Sequence, residues 1–230
     1  MRLDSRAALQ CHELLHKLNA PSRFDLSGRI KDDPLPKALK EAGIKYEAEV
    51  LAFLDQTNLR IFKVQTGMGD SVRESETAVA LLSTDIDVII GASFGEHIES
   101  ALRKLGHTDF VGDSHRVSRP DLLVRIESDS ARPQWAPVDI KSHSAIEENK
   151  TNLLKVTKLP AIDPEFGEQV SGTLVKKDGR QLAHYVRHLQ NLGFAPKTPW
   201  GGILGKDQSF IAWADLNALT YGTGEARMGA

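Results

Sequence analysis

Apolar positions first recur at helical spacing from Ala7 to Leu18, and Ala20-Pro21-Ser22 closes that element. After a loop with Gly28 and Asp32-Asp33-Pro34, a second helix is predicted from about Leu35 to Leu54, eased at Gly43. Leu39, Ala42, Tyr46, Val50, Phe53 and Leu54 would lie on or near one of its faces. Arg60-Ile61-Phe62-Lys63-Val64 alternates as a short strand does. Thr66 to Ser71 reads as a turn, Ser75 to Ser83 as a short helix, and Ile86 to Phe94 as a β-branched strand buried on both faces. Glu96 to Leu105 is compatible with a helix or an irregular insertion. Leu122 to Ile126 and Trp135 to Lys141 form the arms of a predicted hairpin. Residues 144 to 177 read as long and irregular, a functional loop or an insertion, because Pro160, Pro164, Gly167 and Gly172 interrupt them. Arg180 to Leu192 is an amphipathic helix closed by Gly193, and Gly202 to Gly205 with Ser209 to Leu216 looks like a final strand pair.

That order of elements predicts an α/β (α+β) fold with a mixed central β-sheet flanked by helices. The expected organisation is an N-terminal helical segment over 1–30, one domain over 31–220 and a flexible tail over 221–230. Composition narrows the class. The chain has 230 residues, 40% of them apolar, 29 Lys and Arg against 31 Asp and Glu, and a single cysteine, Cys11. One cysteine excludes an intrachain disulfide, a CxxC zinc site and a four-cysteine iron–sulfur cluster. No apolar run approaches the ~20 residues of a membrane span, and Met1-Arg2-Leu3-Asp4 opens no signal peptide, so a cytoplasmic chain without membrane contact is expected. The net charge of -2 argues against nucleic-acid binding, yet it hides an uneven distribution. Residues 1–140 carry 18 basic and 22 acidic side chains, whereas 141–206 carry 10 basic and 6 acidic.

The most informative chemistry is Arg119-Pro120-Asp121 followed, after 17 intervening residues, by Asp139-Ile140-Lys141. Antiparallel neighbours lie ~5 Å apart and positions i and i+2 share a face, so Asp139 and Lys141 project together with Asp121 in reach. Paired carboxylates suit a hard divalent cation such as Mg²⁺. A lysine beside them can orient or help deprotonate a water, or hold a phosphate oxygen, as metal-assisted phosphodiester hydrolysis requires. The plainer reading is two surface charges on a hairpin. Against it stands the placement of both acids beside apolar β-type segments, where unpaired charge is costly. Gln181 and Tyr185 lie four apart on the following helix and share a face.

Gly43-Ile44-Lys45-Tyr46-Glu47, Pro120-Asp121, Asp139-Ile140-Lys141 and Gln181-Leu182-Ala183-His184-Tyr185 follow one another in the order G-x-x-[H/Y]-E, P-D, [D/E]-x-K, Q-x-x-x-Y. This order resembles the RecB-like nucleases of the PD-(D/E)xK superfamily over roughly residues 30 to 216, with Asp33-Pro34 ahead of the first helix. The resemblance implies a restriction-endonuclease-like core and a Mg²⁺- or Mn²⁺-dependent deoxyribonuclease acting on DNA. It implies that Asp121 and Asp139 ligate the metal with the Ile140 carbonyl, that Lys141 positions the attacking water, and that Glu47 completes the acidic site. Gln181 and Tyr185 match the accessory catalytic pair. The chain departs from many relatives in carrying Tyr46 where they carry a histidine ligand, and tyrosine, with a pKa near ~10, is a poor Mg²⁺ ligand. It also lacks the cysteines of the cluster-bearing relatives, so no iron–sulfur cluster is expected. Further domains or a helicase-type partner are compatible with the resemblance. The rival expectation is a catalytically degenerate module of the same fold that binds DNA or serves assembly.

Several residues are candidates for phosphate contact: His143, two positions beyond Lys141, Lys150, Lys155 and Lys158 in the 144–177 segment, and Arg180 and Arg187 on the last helix. His184 and His188 have a spacing that zinc sites use but lack further ligands, so a polar helix face is the plainer reading. Cys11, His12 and His16 fit an ordinary amphipathic helix. Asp85 reads as a turn residue, Asp87 as a candidate supporting acid. Thr66-Gly67-Met68-Gly69-Asp70 lacks the Gly-Lys-Ser/Thr ending of a phosphate-binding loop and does not clearly open a long helix, which argues against nucleotide binding.

Overall fold

The computed structural model describes residues 3–4, 34–111, 116–126, 132–148, 152–206 and 210–217. The expected helix over Ala7–Leu18, the 221–230 tail, Asp33 and Lys150 lie outside the described residues.

Helix α1 (Pro34–Leu54) begins on a proline, tolerated there because first-turn N–H groups need no intrahelical acceptor. Tyr46, Val50 and Leu54, spaced by four, form its buried stripe, while Ala42 and Phe53 face outward. A parallel β–α–β unit follows: β1 (Ile61–Lys63), α2 (Asp70–Leu82) and β2 (Val88–Ile90). Helix α2 starts a turn earlier than its sequence suggests. The Gly69 carbonyl accepts from the N–H groups of Val72 and Arg73 and opens the helix at Asp70. Its buried face includes Glu74 and Thr77 beside Ala78 and Leu81, and those polar members mask the apolar stripe in the sequence. The expectation that the Thr66–Asp70 segment opens no long helix is therefore corrected.

Helix α3 (Ile98–Lys104) precedes the antiparallel hairpin of β3 (Leu122–Ile126) and β4 (Gln134–Ile140). The segment expected to be irregular instead supplies two sheet strands, β5 (Leu153–Lys158) and β6 (Glu168–Ser171), with a short 3-10 turn over Pro164–Phe166 between them. These strands carry lysine, threonine, glutamate and glutamine; β6 pairs with β5, and β5 in turn with a neighbour more than fifty residues away, β8 (Phe210–Asp215). Helix α4 (Lys176–Asn191) and β7 (Trp200–Leu204) complete the order. At the end of α4, Gly193 has φ +79°, and a Cβ there would lie 2.6 Å from the Asp109 carbonyl oxygen.

The fold is α+β. Its mixed eight-stranded sheet runs β1-β2-β3-β4-β7-β8-β5-β6. Strands β4 and β7 are parallel, paired over Val138–Ile140, and Pro137 stands just short of that pairing. Alternation along the strands divides the core. Val88, Leu122, Val124, Ala136, Val138 and Ile140 pack with Tyr46, Val50 and Leu54 of α1. The intervening Ile89, Leu123 and Trp135 pack with residues of α2, α3 and the end of α4, and Ile203, Ala212 and Ala214 pack with Leu182, Tyr185 and Val186 of α4. Helices thus cover both faces. Among the described residues no helix is long and apolar enough to cross a membrane.

Candidate active site

The register of β3 against β4 pairs Leu122 with Val138, so one step further Asp121 stands across from Asp139. By alternation Asp139 and Lys141 fall on the α4 side of the sheet, opposite the α1 stripe. Asp121 Oδ2 accepts the Ile140 N–H at 2.7 Å, and the Asp121 carbonyl accepts the Gly91 N–H at 3.0 Å, which fixes the acid at the strand end. Asp139 is 1% exposed, and neither of its carboxylate oxygens has an aligned hydrogen-bond donor. Its nearest cation is the Lys141 ammonium, 3.0 Å from Oδ2. Lys141 Nζ also lies 3.4 Å from Gln181 Oε1; the Gln181 amide donates to the Tyr185 hydroxyl, which in turn lies 3.4 Å from the Arg119 carbonyl. One helical turn of α4 thereby ties the lysine of the D-x-K segment to the residue before Pro120-Asp121.

The charges at this point are out of balance. Burial, then the charge of Asp139, pushes the Asp121 carboxyl up to about 7, against the pull of the Ile140 N–H and Lys141; Glu47 adds a smaller push. Burial also raises Asp139, opposed mainly by Lys141 and reinforced by Asp178. Burial alone would lower Lys141, but Asp139, Asp121 and Asp178 outweigh it and hold the side chain above the ordinary lysine value. The surrounding carboxylates thus favour the charged form of Lys141, which suits orienting a water or holding an anionic oxygen.

Two converging carboxylates, of which Asp139 has no aligned donor on either buried oxygen, fit a divalent cation, because a cation would satisfy the oxygens left without a hydrogen bond. Among the described residues no three His, Cys, Asp or Glu side chains surround one point as a metal cage. The protein would therefore supply few ligands, Asp121 and Asp139 with the backbone at Ile140, a set that suits a cation keeping several waters. Glu47 is exposed on α1, and its charge reaches Asp121.

Other expected residues separate from this centre. Tyr46 is buried in the α1 stripe and its hydroxyl donates to the Gly205 carbonyl, so it braces the start of the turn after β7. Lys155 and Lys158 lie on β5, three strand spacings from β4, or about 14 Å. Lys155 Nζ sits 3.7 Å from Glu165 Oε2 and 5.4 Å above the Trp200 ring. Arg180 is exposed on α4 next to Gln181, and Arg187 is half-buried two turns on. His184 and His188 are not a polar surface. Both are buried, with ring nitrogens 3.2 Å from the Val117 carbonyl and 2.9 Å from Ser118 Oγ, so they dock α4 on the strand leading to Arg119. Asp87 is no supporting acid of the site. It pairs with Arg60 at 2.7 Å and Arg125 at 2.9 Å at the other end of the sheet.

One residue escaped the sequence reading. Asp178, in the first turn of α4, is 3% exposed, and its charge bears on both Asp139 and Lys141. It stands three residues before Gln181, so the helical period that links Gln181 to Tyr185 would have pointed to it. His143, expected to contact phosphate, has Nε2 3.3 Å from Asp178 Oδ2.

Comparison of the chain with protein-family models, with characterised proteins and with solved structures returns no match.

Proposed function

We propose that this chain is a metal-dependent DNA nuclease with a RecB-like, restriction-endonuclease-like core that hydrolyses phosphodiester bonds. The observation that carries the reading is the buried, donor-deficient Asp139 carboxylate facing Asp121 with the Lys141 ammonium at 3.0 Å. A purely structural acid at such depth would be paired to saturation. Asp121, Asp139 and the Ile140 carbonyl would hold Mg²⁺ or Mn²⁺, which when bound supplies Lewis-acid stabilisation and a more acidic water. Lys141, charged and steadied by Gln181, orients the attacking water or holds a phosphoryl oxygen. Tyr185 fixes Gln181. Glu47 adds negative charge at the outer edge. Arg180, exposed beside Gln181, is the α4 cation best placed for the DNA backbone, which it would grip without reading sequence.

The test is hydrolysis of circular, linear and single-stranded DNA across a panel of divalent metals. Mg²⁺- or Mn²⁺-dependent cleavage that Asp139→Ala and Lys141→Ala abolish is the expected result. Undiminished cleavage by both variants would sink the assignment. A second reading, a degenerate module that binds DNA without cutting it, is favoured by the engagement of Tyr46 with Gly205, which removes Tyr46 as a source of a metal ligand. Calorimetric titration with Mn²⁺ discriminates: DNA binding without metal binding supports the module.

A further inference from the structure

We propose that the Arg119 guanidinium is a DNA contact that holds the phosphate adjoining the scissile one, on the flank of the acids opposite Lys141; the inference rests on the nuclease reading for its substrate. Sheet order sets the two flanks. Lys141, at the end of β4, donates its backbone N–H to the Leu204 carbonyl of β7 at 2.9 Å, so it stands on the β7 side. The segment that leads into β3 stands on the β2 side. There the Gly91 N–H, just past β2, donates to the Asp121 carbonyl at 3.0 Å, and Phe94 and Ser118 exchange backbone bonds of 2.9 and 3.0 Å. Arg119 therefore enters the site from the side where α2 begins. Its Nη2 donates to Asp70 Oδ1 at 2.8 Å, and one helical turn on, Arg73 Nη2 donates to the Gly91 carbonyl at 3.3 Å, which seats the start of α2 against the same strand end.

Arg119 differs from the arginines at the far end of the sheet in what it leaves open. Arg60 spends Nε and Nη2 on Asp87, and Arg125 spends Nη1 on the Thr84 carbonyl and Nη2 on Asp87. The Asp70 contact engages one nitrogen of Arg119, whose side chain is 50% exposed. A guanidinium carries five N–H donors in a planar fork that matches two phosphate oxygens, and an exposed ion pair is weak, so a phosphate can be taken beside Asp70 or in its place. The backbone on either side is held. The Tyr185 hydroxyl lies 3.4 Å from the Arg119 carbonyl, Ser118 is bonded to Phe94, and Pro120 keeps the residue before it extended. The charge is thereby stationed two residues from Asp121 rather than left to wander. With Lys141 and the exposed Arg180 on the other flank, cations bracket the buried acids, and a strand crossing from α2 to α4 would lay successive phosphates on Arg119 and Lys141 without its sequence being read.

The test is binding of a short DNA duplex to the full chain in Ca²⁺, followed by fluorescence anisotropy against salt concentration, with hydrolysis in Mg²⁺ measured in parallel. Arg119→Ala should weaken binding about fivefold at ~0.1 M salt and lower the slope of log affinity against log salt by about 1, the loss of one phosphate contact. Arg119→Lys keeps the charge and loses the fork, so it should keep the slope and recover part of the affinity. Arg60→Ala removes an equal charge at the opposite end of the sheet and should leave the slope unchanged. In hydrolysis, Arg119→Ala should raise KM more than it lowers kcat, because the contact lies beside the reacting phosphate and not on it. A slope that Arg119→Ala leaves unchanged, or that Arg60→Ala lowers equally, overturns the proposal, as does a wild type that binds no DNA. A wild type that binds DNA through Arg119 and cleaves none upholds the contact and overturns the nuclease reading; cleavage in Mg²⁺ with an unchanged Arg119→Ala slope does the opposite.

Discussion

Asp87 and Asp121 are near twins in sequence. Each immediately precedes a buried aliphatic strand, Val88-Ile89-Ile90 in one case and Leu122-Leu123-Val124 in the other. The two strands pair antiparallel, so the acids fall at opposite ends of the sheet, and there their fates diverge. Two arginines meet Asp87; hydrogen bonding to Arg60, against a smaller cost of burial, holds its carboxyl at about 2. Asp121 meets a second acid in a buried setting and rises to about 7. The first acid is saturated and structural. The second is short of positive charge, and that deficit is the ground on which a cation is proposed there.

The comparison breaks most visibly at Asp139. Asp139→Asn should lower metal-dependent hydrolysis by a factor on the order of 10³, since it removes charge where the reaction needs it. In chelator the same variant should unfold at a higher temperature than the wild type, because it relieves the burial of Asp139 and its repulsion with Asp121 and Asp178, while those two acids still face Lys141. Thermal scans of a variant that is both inactive and less stable would contradict this account. Asp87→Asn should do the reverse. It takes from Arg60 and Arg125 the carboxylate they share, costs about 2 kcal/mol in chemical denaturation, and leaves cleavage by the folded protein unchanged.

Acid and base limbs of the stability curve sharpen the contrast. Asp121 has a folded value above its ordinary 3.8, so its contribution is full below that value and lost as pH rises through about 7. Asp87 has a folded value below 3.8, so its contribution is present above 3.8 and lost as pH falls through about 2. Asp121→Asn should therefore flatten the decline between pH 4 and 7 in denaturation measured against pH, and Asp87→Asn the decline between pH 4 and 2. Adding Mg²⁺ should restore stability near neutrality in the wild type and not in Asp121→Asn. Equal Mg²⁺ stabilisation of both proteins would place the cation elsewhere.

The smallest effect concerns α1. Tyr46→Phe removes one buried hydrogen bond to the Gly205 carbonyl and should cost about 1 kcal/mol, with metal dependence intact. Loss of metal binding in this variant, by calorimetry, would show that α1 does reach the cation.

Much of this was legible in the residues. The hairpin of β3 and β4, the stripe Tyr46, Val50, Leu54 on α1 and the Gln181–Tyr185 pair on α4 follow from periods of 2 and 3.6, which are local properties of the backbone. The grouping of Asp121, Asp139 and Lys141 followed from the hairpin register, whereas Gln181 was joined to them only by the resemblance in motif order. Strands β5 and β6 were not legible, because polar residues interrupt both, β5 pairs with the distant β8, and β6 pairs only with β5. Glu74 and Thr77 hid the first turn of α2 in the same way, their polarity answered by contacts that only the folded chain supplies: the His97 N–H at 2.7 Å for Glu74 and the Ser93 N–H at 3.0 Å for Thr77.

The sequence by itself determined which side chains share a strand face or a helix turn, and hence that Asp139 and Lys141 project together and that Gln181 aligns with Tyr185. Only the tertiary structure decided which acids are paired. Arg60 and Arg125 converge on Asp87 from separate elements, Asp178 comes to Lys141 and His143 from the start of α4, and Tyr46 spends its hydroxyl on Gly205. The physical reason is that spacing fixes direction, whereas the state of a charge depends on burial and on every neighbour within a few ångströms, and those neighbours come from distant parts of the chain.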